Sequence, residues 1–232
     1  MQKRKRAAAK GKAAKKAEDK PEEPKKRRPV KPIAYAMMGI PLRFQGLTFD
    51  DVPKDLPYRD HLEIIIDNAE AMTRRGMLFI LHGEHSSGRN PAAFLLAKVF
   101  RSHRRRGFCI SGERIGEELC RFEGELDQAR LRDMRFLVLY DMDPAAISDY
   151  EARKVMGTIS HTLDNCGSII LTADAMDDRW TEHPLLKRIP DMASRFESNN
   201  LGMLIECTGI WEPVGSGADD DIPTSIKQLK WP

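Results

Sequence analysis

The sequence lacks the features of secreted, disulfide-stabilised and membrane proteins. Its four cysteines, scattered along 232 residues without a C-x-x-C pair, are Cys109, Cys120, Cys166 and Cys207. This spacing is typical of reduced, core-filling thiols in a cytosol-like compartment. No apolar run approaches the ~20 residues that cross a bilayer, and no signal-peptide core follows the first residues. We therefore expect a soluble intracellular protein with no membrane partner.

Excess positive charge is confined to the first part of the chain. Residues 1–31 carry 14 Lys and Arg against 4 Asp and Glu, a balance of +10, and the remaining residues have a balance of −7. Because this basic tail has almost no large apolar residues, it is predicted to be disordered. Basic arms bind nucleic-acid phosphates without sequence preference, although such a run can also be a solvated charge cluster or a nuclear-import signal. The candidate DNA contacts in the tail are Lys3, Arg4, Lys5, Arg6, Lys25, Lys26, Arg27 and Arg28.

Aromatic residues are also few, at 7% of the chain, and no aromatic set interleaves with the second basic cluster. This cluster is Arg104, Arg105 and Arg106, at the end of a predicted helix. Without aromatic side chains, recognition by base stacking is not supported. The cluster is either a phosphate-contacting patch for single-stranded DNA or a set of cations that complements the helix dipole.

Beyond the tail, apolar segments of strand length alternate with segments of helical periodicity. The predicted strands are 77–82, 108–111, 136–140, 168–173 and 203–207, and the predicted helices include 59–75, 91–105, 112–121 and 148–163. Apolar strands that alternate with helices indicate a parallel sheet covered on both faces. The predicted organisation is a disordered tail (1–31), an arm that packs on the core (32–58), an α/β domain (59–211) and a loose C-terminal tail (212–232).

The first predicted strand runs into a G-x-x-x-x-G turn, the beginning of a phosphate-binding P-loop. Glycines allow backbone N–H groups to surround an anion, and the following helix directs its positive end at the phosphates. The next two residues are normally Lys, which reaches the β/γ-phosphates, and Ser or Thr, which holds Mg²⁺; here they are Arg89 and Asn90. The candidate nucleotide-binding residues are Gly83, Ser86, Ser87, Gly88, Arg89 and Asn90. The alternative is a strand-to-helix turn that binds no ligand.

Motifs on both sides of the P-loop follow one another in a familiar order. They are GIPLRF at 39–44 with LTFD at 47–50, an apolar strand ending in Asp141 where Walker B belongs, a strand ending in Asp174 at the sensor-1 position, and an SRF box containing Arg195. This order resembles the AAA+ domain of the bacterial helicase-loader family, of the DnaC, DnaI and IstB type. The resemblance covers roughly residues 37–210.

The resemblance implies a fold, a ligand and partners. The fold would be a P-loop NTPase of the AAA+ type: an α/β three-layer sandwich with a central, mostly parallel sheet and no separate C-terminal lid domain. The ligand would be ATP or ADP with Mg²⁺. The partners would be single-stranded DNA, further copies of the chain, and a replicative DNA helicase, or a transposase as for IstB. Such a protein of a phage or mobile element would act in DNA replication in the bacterial cytoplasm. The basic runs of the tail would suit the nucleus if the host is eukaryotic.

The catalytic positions depart from the family pattern. Walker B should be apolar residues, then Asp, then Asp or Glu. Here either Tyr140 replaces the metal-binding Asp, or Asp141 is that residue and Met142 replaces the base. Either way one of the two acids is missing, unless Asp143 reaches the site. The resemblance makes Asp141, Asp174 and the arginine finger Arg195 the candidate catalytic residues, and Asn90 and Asp141 the candidate Mg²⁺ ligands. Arg188 is the second candidate for the arginine finger. Binding needs only backbone amides and Arg89, whereas hydrolysis also needs the metal and a positioned water, so efficient hydrolysis is not expected. The alternative is a catalytically inactive AAA+ regulator that binds DNA and protein.

Overall fold

A five-stranded, all-parallel sheet lies at the centre of the fold. The computed structural model describes residues 35–103, 105–115, 133–143, 147–176, 182–188 and 202–211. The strands are β1 (Leu78–Gly83), β2 (Gly107–Ser111), β3 (Phe136–Tyr140), β4 (Ser168–Ala173) and β5 (Gly202–Cys207). Their order across the sheet is β2-β3-β4-β1-β5, so β1 pairs with β4 on one side and with β5 on the other. β1 is therefore an interior strand, and its carboxyl end lies at the end of the sheet where ligands of such folds bind.

Helices cover both faces of this sheet. Among the described residues they include α1 (Leu42–Gln45), α2 (Arg59–Asp67), α3 (Ala69–Arg75), α4 (Arg89–Ser102), α5 (Asp149–Asp164) and α6 (Pro184–Arg188). Alternate strand residues feed two apolar cores: Phe79 and Val138 pack with α2, α3 and α4, and Ile80 and Leu139 pack with α5. The predicted α/β three-layer sandwich is confirmed, and the described part of the chain contains no separate lid domain. None of its helices has the length and apolar character needed to cross a bilayer.

Most predicted element bounds agree with the structure within two or three residues. The mostly apolar strands β3 and β4 have the predicted bounds, whereas α4 begins at Arg89 and ends at Ser102 rather than spanning 91–105. Of the predicted helix over 112–121, the structure describes a 3₁₀ turn at Gly112–Arg114; residues 116–132 lie outside the described residues.

The predicted single helix over 59–75 is two helices, because Asn68 interrupts it. Its side-chain Nδ2 and its backbone N–H both donate to the Ile64 carbonyl, at 2.8 Å and 3.1 Å. The Asn68 side chain thus shares the Ile64 carbonyl with the regular helix bond of its own backbone N–H. The apolar positions keep their helical spacing on both sides of Asn68, so periodicity alone did not reveal the break.

Residues 35–58 contact the helix that follows the P-loop. Lys98 on α4 donates to the carbonyl of Gln45 at 2.7 Å, at the end of α1. The Phe44 ring stacks on Phe94 with 5.0 Å between the ring centroids. These contacts place the arm segment against α4.

Candidate functional site

The turn between β1 and α4 depends on two glycines. Gly88 has a φ of 82°, and a Cβ atom there would lie 2.6 Å from Tyr58 Oη and 2.7 Å from Trp211 Cβ. A Cβ atom at Gly83 would lie 2.1 Å from the carbonyl oxygen of Cys207 on β5. Neither position can take a larger residue without a shift of its surroundings. The chain therefore makes the tight strand-to-helix turn that the motif predicts, followed by the 14-residue helix α4.

Two buried aromatic residues hold the backbone of this turn. Tyr58 Oη donates to the Ser87 carbonyl at 2.6 Å, and the Trp211 backbone N–H donates to the Ser86 carbonyl at 3.0 Å. Burial raises the pKa of the Tyr58 phenol, so the hydroxyl stays protonated and remains a donor. The Ser87 side chain is buried, and its Oγ has no hydrogen-bond partner within the described residues. Tyr58 and Trp211 thus fix the backbone of the turn, while the Ser87 hydroxyl has no hydrogen-bond partner within the described residues.

Arg89 stands at the P-loop lysine position, but its guanidinium is bonded to protein groups. The residue is 6% exposed. Its Nη1 donates to the Gly83 carbonyl, and its Nη2 lies 2.8 Å from Asp174 Oδ1. The Asp174 side chain is 78% exposed, so the ion pair joins a buried cation to a surface carboxylate. A buried charge needs a partner, and Asp174 is the anion that meets this need.

Asn90, Asp141 and Thr172 form a closed hydrogen-bonded cluster. Asn90 Nδ2 donates to Asp141 Oδ1 at 2.6 Å, and Thr172 Oγ1 donates to Asn90 Oδ1 at 2.8 Å. The Asp141 backbone N–H donates to Thr172 Oγ1 at 3.1 Å. Asp141 has a φ of 51°, a left-handed conformation that Asp tolerates better than most residues. The two predicted Mg²⁺ ligands are therefore direct neighbours.

In the structure Asp141, rather than Tyr140, lies against Asn90. The Tyr140 ring packs edge-on against Phe94, with 4.8 Å between the ring centroids. Met142 is 4% exposed and belongs to the apolar core on the α5 side. No carboxylate therefore directly follows Asp141, at the position where the family pattern carries the residue that activates water.

His82 fixes the segment that carries Asp174. It is paired with Ala173 in the register of β1 and β4, and its Nδ1 accepts a hydrogen bond from the Met176 N–H at 3.2 Å. Burial lowers the pKa of His82, although the nearby Glu206 acts in the opposite direction. The imidazole is therefore neutral at pH 7 and adds no positive charge beside Asp174.

The turn fits the phosphates of a nucleotide through several independent groups. The unsatisfied Ser87 hydroxyl, the Arg89 guanidinium and the N-terminus of α4 all suit an anion. For Mg²⁺, the site offers the Asp141 carboxylate and the second lone pair of Asn90 Oδ1. This set suits an ion that keeps mostly water and phosphate oxygens as ligands. Within the described residues there is no group of three His, Cys, Asp or Glu side chains that could hold a metal by itself.

The predicted DNA contacts lie away from this turn or outside the described residues. Arg106 is exposed and pairs with Asp133 at 3.2 Å, and the carbonyl of the half-buried Arg105 accepts from Arg101 Nη1 at 3.3 Å. The predictions that fall outside the described residues concern Arg104, Arg195 and the tail residues Lys3, Arg4, Lys5, Arg6, Lys25, Lys26, Arg27 and Arg28.

Sequence reasoning did not single out Thr172, Tyr58 or Trp211. Each reaches the turn from a segment far away in the chain, so no local motif marks it. The one available signal was a polar residue near the end of the predicted apolar strand 168–173, which Thr172 provides.

The strand order, the glycine turn and the helix behind it define a P-loop NTPase fold. No family model and no curated protein matches the chain. Among solved structures it is similar to the DnaC helicase loader, with a TM-score of 0.56 and 13% identity over 72% of this chain and 99% of that one. It is also similar to DnaI (0.50, 12% identity, 74% and 93%) and to the replication initiator DnaA bound to AMPPCP and single-stranded DNA (0.54, 13% identity, 70% and 50%). The chain thus has the AAA+ fold of the helicase loaders and initiators, as predicted.

Proposed function

We propose that this protein is a helicase-loader-like AAA+ protein of DNA replication that binds DNA and a replicative DNA helicase. The observation that carries the proposal is the likeness to DnaC, which extends over 99% of that chain and 72% of this one. The glycine turn at the carboxyl end of β1 supports a nucleotide site at the position that such a fold uses.

In this proposal the nucleotide is a bound ligand rather than a substrate that is efficiently hydrolysed. The Arg89 guanidinium already has Asp174 as a partner, and Asn90 is already bonded to Asp141. Met142 is buried where the family has a base. We infer that ATP or ADP with Mg²⁺ binds and that hydrolysis is inefficient.

A second candidate function is a pseudo-ATPase regulator that uses the AAA+ fold only to bind protein and DNA. The Arg89–Asp174 ion pair favours it, because the cation that would meet the phosphates already has a counter-anion of its own. Under this alternative the DNA and helicase contacts do not respond to nucleotide, whereas under the leading proposal they do.

Capture of the host replicative helicase by the full chain tests the leading proposal. We expect the helicase to be retained and a transposase not to be retained, with retention changing when ADP or ATP is added. Capture of a transposase alone would contradict the proposal and favour an IstB-like role. Helicase capture that is insensitive to nucleotide would support the regulator.

The basic tail is proposed as the main DNA contact. Deletion of residues 1–31 should weaken binding to single-stranded DNA and make the affinity less dependent on salt, because fewer counterions are released. The measurement is a salt series of affinities for the full and shortened chains, with Arg106→Ala as the control for the second basic cluster. Equal affinities and equal salt slopes for the full and shortened chains would show that the tail is not the main DNA contact.

A further inference from the structure

We propose that Asp174 makes the nucleotide site selective for a nucleoside diphosphate over a triphosphate. The inference rests on the proposed nucleotide site and assigns a role to the carboxylate that the fold family does not have at this position. Its basis is the ion pair in which Asp174 Oδ1 lies 2.8 Å from the buried Arg89 Nη2.

The carboxylate is held at the phosphate end of the turn. Asp174 is the first residue after β4, and the segment that follows is fixed by the hydrogen bond from the Met176 N–H to His82. The P-loop lysine position, here Arg89, is the one that meets the β- and γ-phosphates. Asp174 therefore supplies a negative charge at the place where a third phosphate would supply another.

The site itself is suited to an anion independently of Asp174. The Ser87 side chain is 2% exposed, and its Oγ has no partner among the described residues. This hydroxyl would lie 2.8 Å from a Cβ atom on Gly83, so it points into the narrow part of the turn. An anion in the turn would satisfy the Ser87 hydroxyl together with the first N–H groups of α4.

The balance of charge decides which nucleotide is accepted. The carboxylates bonded to the side chains of the P-loop are Asp174, which pairs with the cation Arg89, and Asp141, which accepts from Asn90. Glu84 adds an exposed carboxylate within the turn itself. The Asp174 side chain is largely exposed, so it can turn into water and leave Arg89 to a β-phosphate. A γ-phosphate adds charge of the same sign close to that carboxylate, and like charges at short range weaken binding by roughly tenfold or more.

The test is calorimetric titration of the full chain with ADP and with the non-hydrolysable triphosphate AMPPCP, both with Mg²⁺. We expect the wild type to bind ADP roughly tenfold more tightly than AMPPCP. Asp174→Asn and Asp174→Thr should raise the AMPPCP affinity and bring the ratio close to one. Asp174→Glu should keep the selectivity. Asp67→Asn, which removes an exposed carboxylate on α2, should leave the ratio unchanged.

Three results would overturn the inference. They are equal wild-type affinities for the two ligands, a selective loss of AMPPCP binding in Asp174→Asn, and no binding of either ligand by the wild type and both neutral variants. The second would mean that the carboxylate assists a triphosphate, for example through the metal. Helicase capture is measured on the same preparations. Capture that persists beside either of the first two results overturns the selectivity alone, whereas the third result also overturns the proposed nucleotide site. Melting temperatures of the variants show that each remains folded.

Discussion

The backbone of the P-loop and its side chains differ in what they are bonded to. The backbone carbonyls of the turn accept hydrogen bonds from Tyr58 and Trp211, and the turn keeps the tight glycine conformation that an anion site needs. The side chains of Arg89 and Asn90 are instead bonded to Asp174 and Asp141 within the protein. This contrast indicates that a fold can keep the shape of a phosphate site while its catalytic groups take protein partners.

The largest effect is expected from Gly88→Val, which disrupts the backbone of the turn. The new side chain would meet Tyr58 and Trp211 in a backbone conformation that disfavours Val. We expect a loss of about 3 kcal/mol in the free energy of unfolding, together with loss of nucleotide binding. Urea denaturation measures the first and calorimetry the second.

The matched control is Gly157→Ala on α5, where a Cβ atom meets nothing within 4 Å. Ala has a better helix propensity, so this variant should gain about 0.5–1 kcal/mol without any change in nucleotide binding. If Gly88→Val changed the free energy of unfolding as little as Gly157→Ala, the turn would be packed less tightly than the contacts of Gly88 indicate.

Arg89→Met tests the side-chain half of the comparison. It removes the buried guanidinium and leaves Asp174, which is mostly exposed, to water. The Gly83 carbonyl loses its donor, so we expect a loss of about 1–2 kcal/mol in stability and a fall of at least about tenfold in nucleotide affinity. Arg153→Met, at an exposed position on α5, should change neither. Nucleotide affinity that is unaffected by Arg89→Met would contradict a phosphate-binding role for the guanidinium.

Thr172→Val should separate the metal cluster from the fold. The change deletes the hydroxyl that donates to Asn90 and accepts from the Asp141 N–H. We expect a loss of about 1–2 kcal/mol in stability and weaker Mg²⁺-dependent binding of nucleotide. Thr73→Val is the control, because Thr73 is equally buried and bonds only to its own helix; it should cost similar stability and leave binding intact. If both variants bind nucleotide with Mg²⁺ equally well, the cluster does not serve the metal.

The smallest effect is expected from acid, through His82. Its pKa in the folded state is lowered by burial from an ordinary value of 6.5, so below that pH the unfolded state binds more protons. The contribution of His82 to stability is therefore complete above pH 6.5 and is lost as the pH falls through its folded pKa. His82→Gln keeps an acceptor for the Met176 N–H and should remove this part of the pH dependence. Identical curves of unfolding free energy against pH for the wild type and His82→Gln would contradict the lowered pKa of His82.

The sheet was easier to predict than the site, for a physical reason. β3 and β4 are mostly apolar because both of their faces are covered, and that pattern is visible in the chain alone. The Arg89–Asp174 and Asn90–Thr172 contacts depend on β4 lying beside β1, which no local pattern specifies. The break at Asn68 was missed because the apolar positions keep their helical spacing on both sides of it. The order of motifs predicted which segments meet, but not which side chains bond.

The most direct test of the central claim is to measure nucleotide binding and Mg²⁺-dependent ATP turnover on the same full-chain preparation, with and without single-stranded DNA. Arg195→Ala, which changes the predicted arginine finger, is measured beside it. We expect saturable nucleotide binding, with ATP turnover that is no faster than that of the variant. ATP turnover that disappears in Arg195→Ala would contradict the claim that the side chains of this P-loop no longer support catalysis.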